Sequence, residues 1–263
     1  MRRPKTRIIF NPAAGSAALA GAALARLQAE GAEVKTTARR GAAERFARRA
    51  VRDGCEILVA AGGDGTLNEV ANGVGENADH IAIALLPLGT GNDFARTLGM
   101  PRSIDRCVDV LHRGRRRAVD LVRVTSDAVR YFVNVSAGGF SGVVDETLTD
   151  AMKEKWGQLA YIRGAAAALP RLRAYRANIS LDNDECLSLS LFNVVIANGR
   201  YVGGGTPIAP QAKIDDGLLD VILFPKISAA KIAVLAPQVL MGAHLTHESV
   251  VFRRAAKLGV KSR

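Results

Sequence analysis

The residues best placed to do chemistry lie in Gly62-Gly63-Asp64-Gly65-Thr66-Leu67-Asn68-Glu69. The apolar run Ile57-Leu58-Val59 before them reads as a buried parallel strand, and Leu67, Val70 and Ala71 share one face of a following helix. A strand that enters a glycine turn and leaves as a helix points unpaired backbone N–H groups and a partial positive charge outward, which suits a phosphate. Glycine lifts the steric block where a phosphate must approach the backbone. Asp64 is the odd member, because a carboxylate repels a phosphate unless a divalent cation lies between them. The chemistry suggested is therefore a nucleotide-phosphate turn working with Mg²⁺. The alternative is a plain strand-to-helix turn capped by Thr66.

The elements that must hold this turn recur along the first third of the chain. Arg7-Ile8-Ile9-Phe10 is a strand ending in the turn Asn11-Pro12-Ala13-Ala14-Gly15, with an Ala/Leu helix over Ala17 to Gln28. Glu33 to Thr37 is a second strand and Ala42 to Val51 a second helix. The strand before Gly62 is the third. Ile81 to Leu86 is the fourth, ending in Pro87-Leu88-Gly89-Thr90-Gly91-Asn92 and a helix from Asp93 to Leu98. Strands spaced about 25 residues apart with helices between them indicate βαβ crossovers and a parallel sheet. Ligands of such sheets sit beyond the carboxyl ends of the strands, and three of these four ends carry unusual turns. Neither GxxxxGK[ST] nor GxGxxG occurs, which argues against P-loop NTPases and ordinary dinucleotide enzymes.

Near Ala118 the pattern changes. Ala118 to Val124 and Arg130 to Val135 read as strands joined at Ser126-Asp127-Ala128. Helical stretches follow over Val143 to Lys155 and Leu159 to Leu172. Strands resume at Ala177 to Leu181, Leu187 to Ala197, Leu218 to Phe224 and Val250 to Val260, with an apolar helix from Ala229 to Met241 bent or broken at Pro237. Hairpin-linked strands mark a mostly antiparallel second domain. The expected architecture is α/β: a Rossmann-like parallel-sheet domain over residues 1–120, then a β-rich domain over 121–263.

Composition narrows the class. With 48% hydrophobic and 23% charged residues, the chain can bury a core without staples. No apolar run reaches the roughly 18 residues of a membrane span, and the basic start leads into a strand, not a signal-peptide core. Cys55, Cys107 and Cys186 form no CxxC pair, which fits a reducing cytoplasm. The net charge of +11 asks for an anionic partner: nucleic acid, a nucleotide or an anionic membrane surface. Aromatic residues are only 5% and do not alternate with the arginine clusters, which argues against single-stranded nucleic acid.

The three turns together resemble the diacylglycerol-kinase catalytic family of lipid kinases, which includes sphingosine kinases and bacterial lipid kinases. The first two turn types are shared with NAD kinases, so an NAD kinase stays open on those alone. Asn92-Asp93-Phe94-Ala95-Arg96 points to lipid kinases, and Gly203-Gly204-Gly205 to Pro210 and Asp215-Asp216-Gly217-Leu218-Leu219-Asp220 continue the match. Trp156 to Tyr161 resembles the family's helical segment beside the lipid pocket. The resemblance implies an NAD-kinase-like fold and ATP- and Mg-dependent phosphorylation of a lipid hydroxyl, with diacylglycerol giving phosphatidic acid. It implies ATP contacts at Asn11, Pro12, Ala13, Ala14, Gly15, Thr37, Gly63, Asp64, Gly65, Thr66, Leu67, Asn68, Glu69 and Thr90, with catalytic roles for Asp64 and Asp120. It also implies a structural Mg²⁺ at Asp216 with the carbonyls of Lys213 and Leu218, where a plain turn residue is the alternative. A cytoplasmic protein in peripheral contact with anionic membrane, with no nucleic-acid partner, follows from the same resemblance, and a homodimer stays open.

One departure stands out. The family takes its base from an Asp-Gly-Glu-like segment near the C-terminus, on chain returning to the first domain, and none follows Asp216-Gly217 here. After Asp220 the acidic residue in the sequence is Glu248, which does not match that motif. A truncated, non-catalytic relative that binds nucleotide or lipid is therefore a rival expectation. His244 and His247 form no metal set with a third ligand and read as a polar helix end.

Overall fold

Four parallel strands carry the first unit of the chain, in the order β2-β1-β3-β4, with β1 at Thr6–Phe10, β2 at Glu33–Thr36, β3 at Ile57–Gly62 and β4 at Ala82–Pro87. A computed structural model describes residues 4–139, 172–182 and 185–262. Contacts divide it into two compact units, Met1–Val133 and Asn134–Arg263.

The two central strands, β1 and β3, are short and buried on both faces, as a covered parallel sheet demands, while β2 at the edge is half-buried to exposed. One face packs Ile8, Val59, Ala61, Leu86 and Leu88 against α1 (Gly21–Ala29) and α5 (Ile104–Arg113) through Leu24, Leu27, Cys107 and Val108. On the other side α2 (Ala42–Arg52) runs against α3 (Asp64–Val74), so closely that a Cβ on Gly73 would strike the carbonyl of Glu44. The strand order reverses between β1 and β3. That is the switch point at which open α/β sheets leave a crevice beyond their carboxyl ends, and the first two glycine-bearing turns open there.

Three local differences from the sequence reading have physical causes. The first helix begins as a 3-10 turn at Ala17–Ala20 before α1. α5 was not anticipated, although Ile104, Cys107, Val108 and Leu111 repeat at helical spacing and pack on the sheet. The strands β5 (Val122–Thr125) and β6 (Val129–Phe132) form a separate two-stranded ribbon that belongs to the first unit. The compact units divide at 133/134, and the ribbon is fastened to α3 through Asn72.

The second unit is an antiparallel sheet in the order β11-β10-β9-β8-β12, with β7 paired to β9. Its strands are β7 (Val135–Gly139), β8 (Tyr175–Leu181), β9 (Glu185–Ala197), β10 (Leu219–Pro225), β11 (Val251–Ala255) and β12 (Leu258–Ser262). The expected strand over 250–260 is thus two strands, which join opposite edges of the sheet. α6 (Ala229–Met241) runs through Pro237 as one element and buries Leu235 among Val195, Ile208 and Ile222. His244 is fully buried, with Nε2 2.9 Å from the carbonyl of Ile208 and its ring stacked on Phe224, so it is a core residue. The parallel-sheet-plus-antiparallel-sheet class expected from the sequence is the one observed. The expected helices within 140–171, the Trp156–Tyr161 segment and part of the turn at 182–184 lie outside the described residues. Among the described residues no helix is long and apolar enough to cross a membrane.

Candidate active site

The three turns expected to act together do converge. Asn11 donates from its main-chain N–H to the carbonyl of Ala61 (2.9 Å), Ser16 to that of Leu88 (2.8 Å), and Leu88 to that of Gly62 (2.9 Å). The side chain of Asn11 closes the first turn on itself, accepting the N–H of Ala13 (3.0 Å), and reaches Thr66 Oγ1 at 3.3 Å. Close approach explains two glycines. A Cβ on Gly89 would lie 2.5 Å from the Cα of Gly63, and one on Gly15 would lie 3.1 Å from Thr90 Oγ1. No larger residue could bring the second and third turns so near.

α3 leaves this junction without a side-chain cap. Its N-cap is Gly63, and Thr66 is buried inside the helix, with Oγ1 facing Asn11, so it does not close the turn. The plain capped-turn alternative therefore lacks its cap. An uncapped start on an eleven-residue helix exposes N–H groups and the positive end of the dipole. Above Gly65 there is open space, with nothing within 4 Å of where a Cβ would stand. An open helix start of this kind is suited to an anion such as a phosphate.

Asp64 has a second role that its position did not announce. Its two carboxylate oxygens accept the N–H groups of Asp93 and Phe94, each at 3.0 Å, and so cap α4 (Asp93–Thr97). Asn92 supports the bend before α4 with φ 52, accepting the N–H of Gly89 (2.9 Å) and donating to its carbonyl (2.6 Å). Each oxygen of Asp64 keeps a further lone pair, so the carboxylate can still hold a hydrated divalent cation beside a phosphate. Asp93 is 5% exposed, and it is its main-chain N–H that meets Asp64. Oxygen donors beside an open helix start suit ATP with Mg²⁺.

Of the other residues expected to contact ATP, Pro12, Ala13, Gly15, Asn68 and Thr90 are exposed, while Asn11, Ala14, Thr37 and Gly63 are half-buried. Thr37 follows β2 and donates its N–H to Phe10 O (2.8 Å). Leu67 is 5% exposed and turned into the core, so it could meet a nucleotide through its backbone alone. Glu69 accepts the N–H groups of Gly41 (2.8 Å) and Ala43 (3.0 Å), capping α2. Asp120 is half-buried in the segment that leads into β5.

In the second unit, Asp216 accepts the N–H of Leu218 (3.1 Å) and lies 4.0 Å from the Arg254 guanidinium. Asp220 is 2% exposed and bound to Arg254 Nε at 2.9 Å, and burial, outweighing that pairing, pushes its pKa up. Glu248 pairs with Lys231 at 2.8 Å, and that hydrogen bond holds its carboxyl below the usual range. A carboxylate so stabilised is a poor proton acceptor.

Sequence reasoning assigned no role to Asn72, Asn92 or Asp93 themselves. The Gly89–Asn92 spacing was a usable signal, since Asn tolerates the left-handed bend and bonds back to nearby main chain. Nothing local flagged Asn72, whose partner is fifty-nine residues away.

Comparison with known proteins identifies the family of the chain. Residues 5–124 match the diacylglycerol kinase catalytic domain, and residues 134–263 match the YegS C-terminal NAD kinase beta sandwich-like domain. A diacylglycerol kinase of Staphylococcus saprophyticus is 31% identical over 99% of this chain and 86% of its own length. A YegS-like lipid kinase of Stenotrophomonas maltophilia is 34% identical, covering 96% of this chain and 84% of its own. The crystal structure of a diacylglycerol kinase from Bacillus anthracis superposes with a TM-score of 0.78 at 22% identity, over 100% of this chain and 87% of that one. The chain belongs to the diacylglycerol-kinase catalytic family of lipid kinases.

Proposed function

We propose that this chain binds ATP with Mg²⁺ at the junction of the three turns and phosphorylates a membrane lipid hydroxyl, converting diacylglycerol to phosphatidic acid. The observation that carries the reading is the uncapped start of α3, open above Gly65 and held against the third turn through Gly63, Gly89 and Asp64. Backbone N–H groups of the α3 start would take the phosphates, and the first turn from Asn11 to Gly15 and the third at Thr90 would flank them. Asp64 would hold the Mg²⁺, which when bound neutralises phosphate charge. Asp120 would lie at the reacting end.

In the transfer the lipid oxygen bonds to the γ-phosphorus, the bond from that phosphorus to the bridging oxygen breaks, ADP leaves, and the hydroxyl proton passes to a base. Glu248 is unsuited to that last role because of Lys231. The carbonyls of Lys213 and Leu218 with Asp216 are proposed to hold a second, structural Mg²⁺, an oxygen set of the kind that cation prefers. The excess of basic residues favours work on the anionic, cytoplasmic face of a membrane.

The test offers radiolabelled ATP and Mg²⁺ with diacylglycerol, sphingosine, phosphatidylglycerol and NAD. Label in phosphatidic acid is expected. Label in NADP alone, or nucleotide binding without turnover on any lipid, overturns the proposal.

A further inference from the structure

α3 does more than present its first turn. Three polar side chains along it each bond to main chain of a different element: Asp64 to the start of α4, Glu69 to the start of α2, and Asn72 to β6. Asn72 is 8% exposed. Its Nδ2 donates to the carbonyls of Asn68 (2.8 Å) and Tyr131 (2.7 Å), and its Oδ1 accepts the N–H of Tyr131 (2.9 Å). The amide thus pairs with both main-chain groups of one strand residue, as a neighbouring strand would. A planar group carrying donor and acceptor side by side is required for this, which leaves Asn or Gln. Aspartate keeps the acceptor but turns a second acceptor towards the Tyr131 carbonyl. Leucine leaves both groups of Tyr131 without a partner.

The ribbon needs this fastening. A two-stranded ribbon is marginal by itself, so its place is set by what holds it. Phe132 is buried as well, at 9% exposure, but apolar burial does not set register, and the other polar contacts around Asn72 are longer or more exposed. The Tyr131 ring lies 3.4 Å from where a Cβ of Gly75 would stand, its hydroxyl reaches Glu76 at 3.4 Å, and Arg130 pairs with Glu44 at 3.0 Å on the surface. β5 begins at Val122, opposite Phe132, so the segment carrying Asp120 enters the ribbon beside the residue that follows Tyr131. Asn72 lies eight residues along the helix from Asp64, about 12 Å at the helical rise per residue.

We infer that Asn72 is a positioning residue for phosphoryl transfer: by bonding both main-chain groups of Tyr131, it sets where the Asp120 segment lies relative to the phosphate-binding start of α3. The inference rests on the kinase reading above. Asn72 touches neither nucleotide nor lipid, and it acts through the ribbon. Misplacing a reacting group by about 1 Å costs on the order of 10²-fold in rate, whereas Asn72 meets the ATP-contacting stretch only at the carbonyl of Asn68, one turn back along the same helix.

Asn72→Asp is nearly isosteric and is assayed in the full chain with diacylglycerol vesicles. The expected result is a fall in kcat of roughly 10²-fold with KM for ATP within about twofold. Amide hydrogen exchange at Tyr131 should quicken while β1 to β4 keep their protection. Unchanged kcat alongside faster Tyr131 exchange overturns the inference, as does a rise in KM for ATP alone. Should the variant not fold, exchange in the unsubstituted chain decides: a Tyr131 amide as unprotected as its exposed neighbour Val129 also overturns it. Absence of lipid phosphorylation by the unsubstituted chain refutes the kinase reading itself. An active chain with an unaffected variant refutes only the role of Asn72.

Discussion

Replacing Asp64 by Asn separates fastening from ligand binding at the centre of the site. Both oxygens of Asp64 accept N–H groups, from Asp93 and Phe94, at 3.0 Å, and both donors belong to buried residues. In Asp64→Asn one oxygen remains, and an NH₂ group must face the other N–H. Losing one hydrogen bond to a charged acceptor costs about 1.5–3 kcal/mol, and losing the negative charge at the start of α4 adds about 0.3–1 kcal/mol. The sum is about 2–4 kcal/mol. For a unit of this size that corresponds to roughly 6–16 °C in Tm, read as helix ellipticity on heating without nucleotide. Asp64→Ala, which leaves both N–H groups without the carboxylate, should melt lower still. Lipid phosphorylation falls in either case, so activity alone is uninformative. A Tm within about 2 °C of the unsubstituted chain, combined with loss of ATP·Mg²⁺ binding, would refute the fastening role and leave Asp64 as a ligand only.

Further outcomes follow from neighbouring geometry. Gly89→Ala must push Gly63 away, so it should weaken ATP binding at least tenfold and lower Tm, whereas Gly65→Ala has room for its methyl and gains helix propensity. Gly65→Ala should therefore keep or raise Tm and still weaken ATP binding, because the methyl stands where the phosphate would sit. Glu69→Ala removes the cap of α2 and should cost about 1–2 kcal/mol in urea unfolding with KM for ATP unchanged. A rise in that KM at unchanged stability would make Glu69 a nucleotide contact instead. Burial, the largest influence, lowers the pKa of His244 below its ordinary value, so the unfolded chain binds this proton more readily than the folded one. Stability from this group is present above the unfolded pKa of about 6.5 and lost as pH falls through it towards the lowered folded value. Urea midpoints at pH 7.5 and 5 should show the loss, and His244→Gln should reduce that difference.

Much of the architecture was legible because its causes are local. Alternating strands and helices, the three turns and the later hairpins depend on periodicity and glycine, and each appears near its expected place. The membership of β5 and β6 was not legible. Their sequence reads as the opening hairpin of the β-rich domain, and what ties them to the first unit is bonding to Asn72 and Glu44, far away in the chain. α5 has a local cause as well, since Ile104, Cys107, Val108 and Leu111 repeat at helical spacing.

At the site itself the division is sharper. From the sequence alone came a phosphate turn, two companion turns and a resemblance to lipid kinases, because backbone conformation and residue type are enough to define a glycine turn. Tertiary structure decided what the polar residues inside that turn and its helix do. Asp64 and Glu69 look alike as candidates for a ligand, yet both, like Asn72 further along the helix, bond main-chain groups between 26 and 59 residues distant. A carboxylate or amide has no preference of its own between a nucleotide and a helix start. Only the packing of α2, α4 and β6 around α3 determines which donors come within reach.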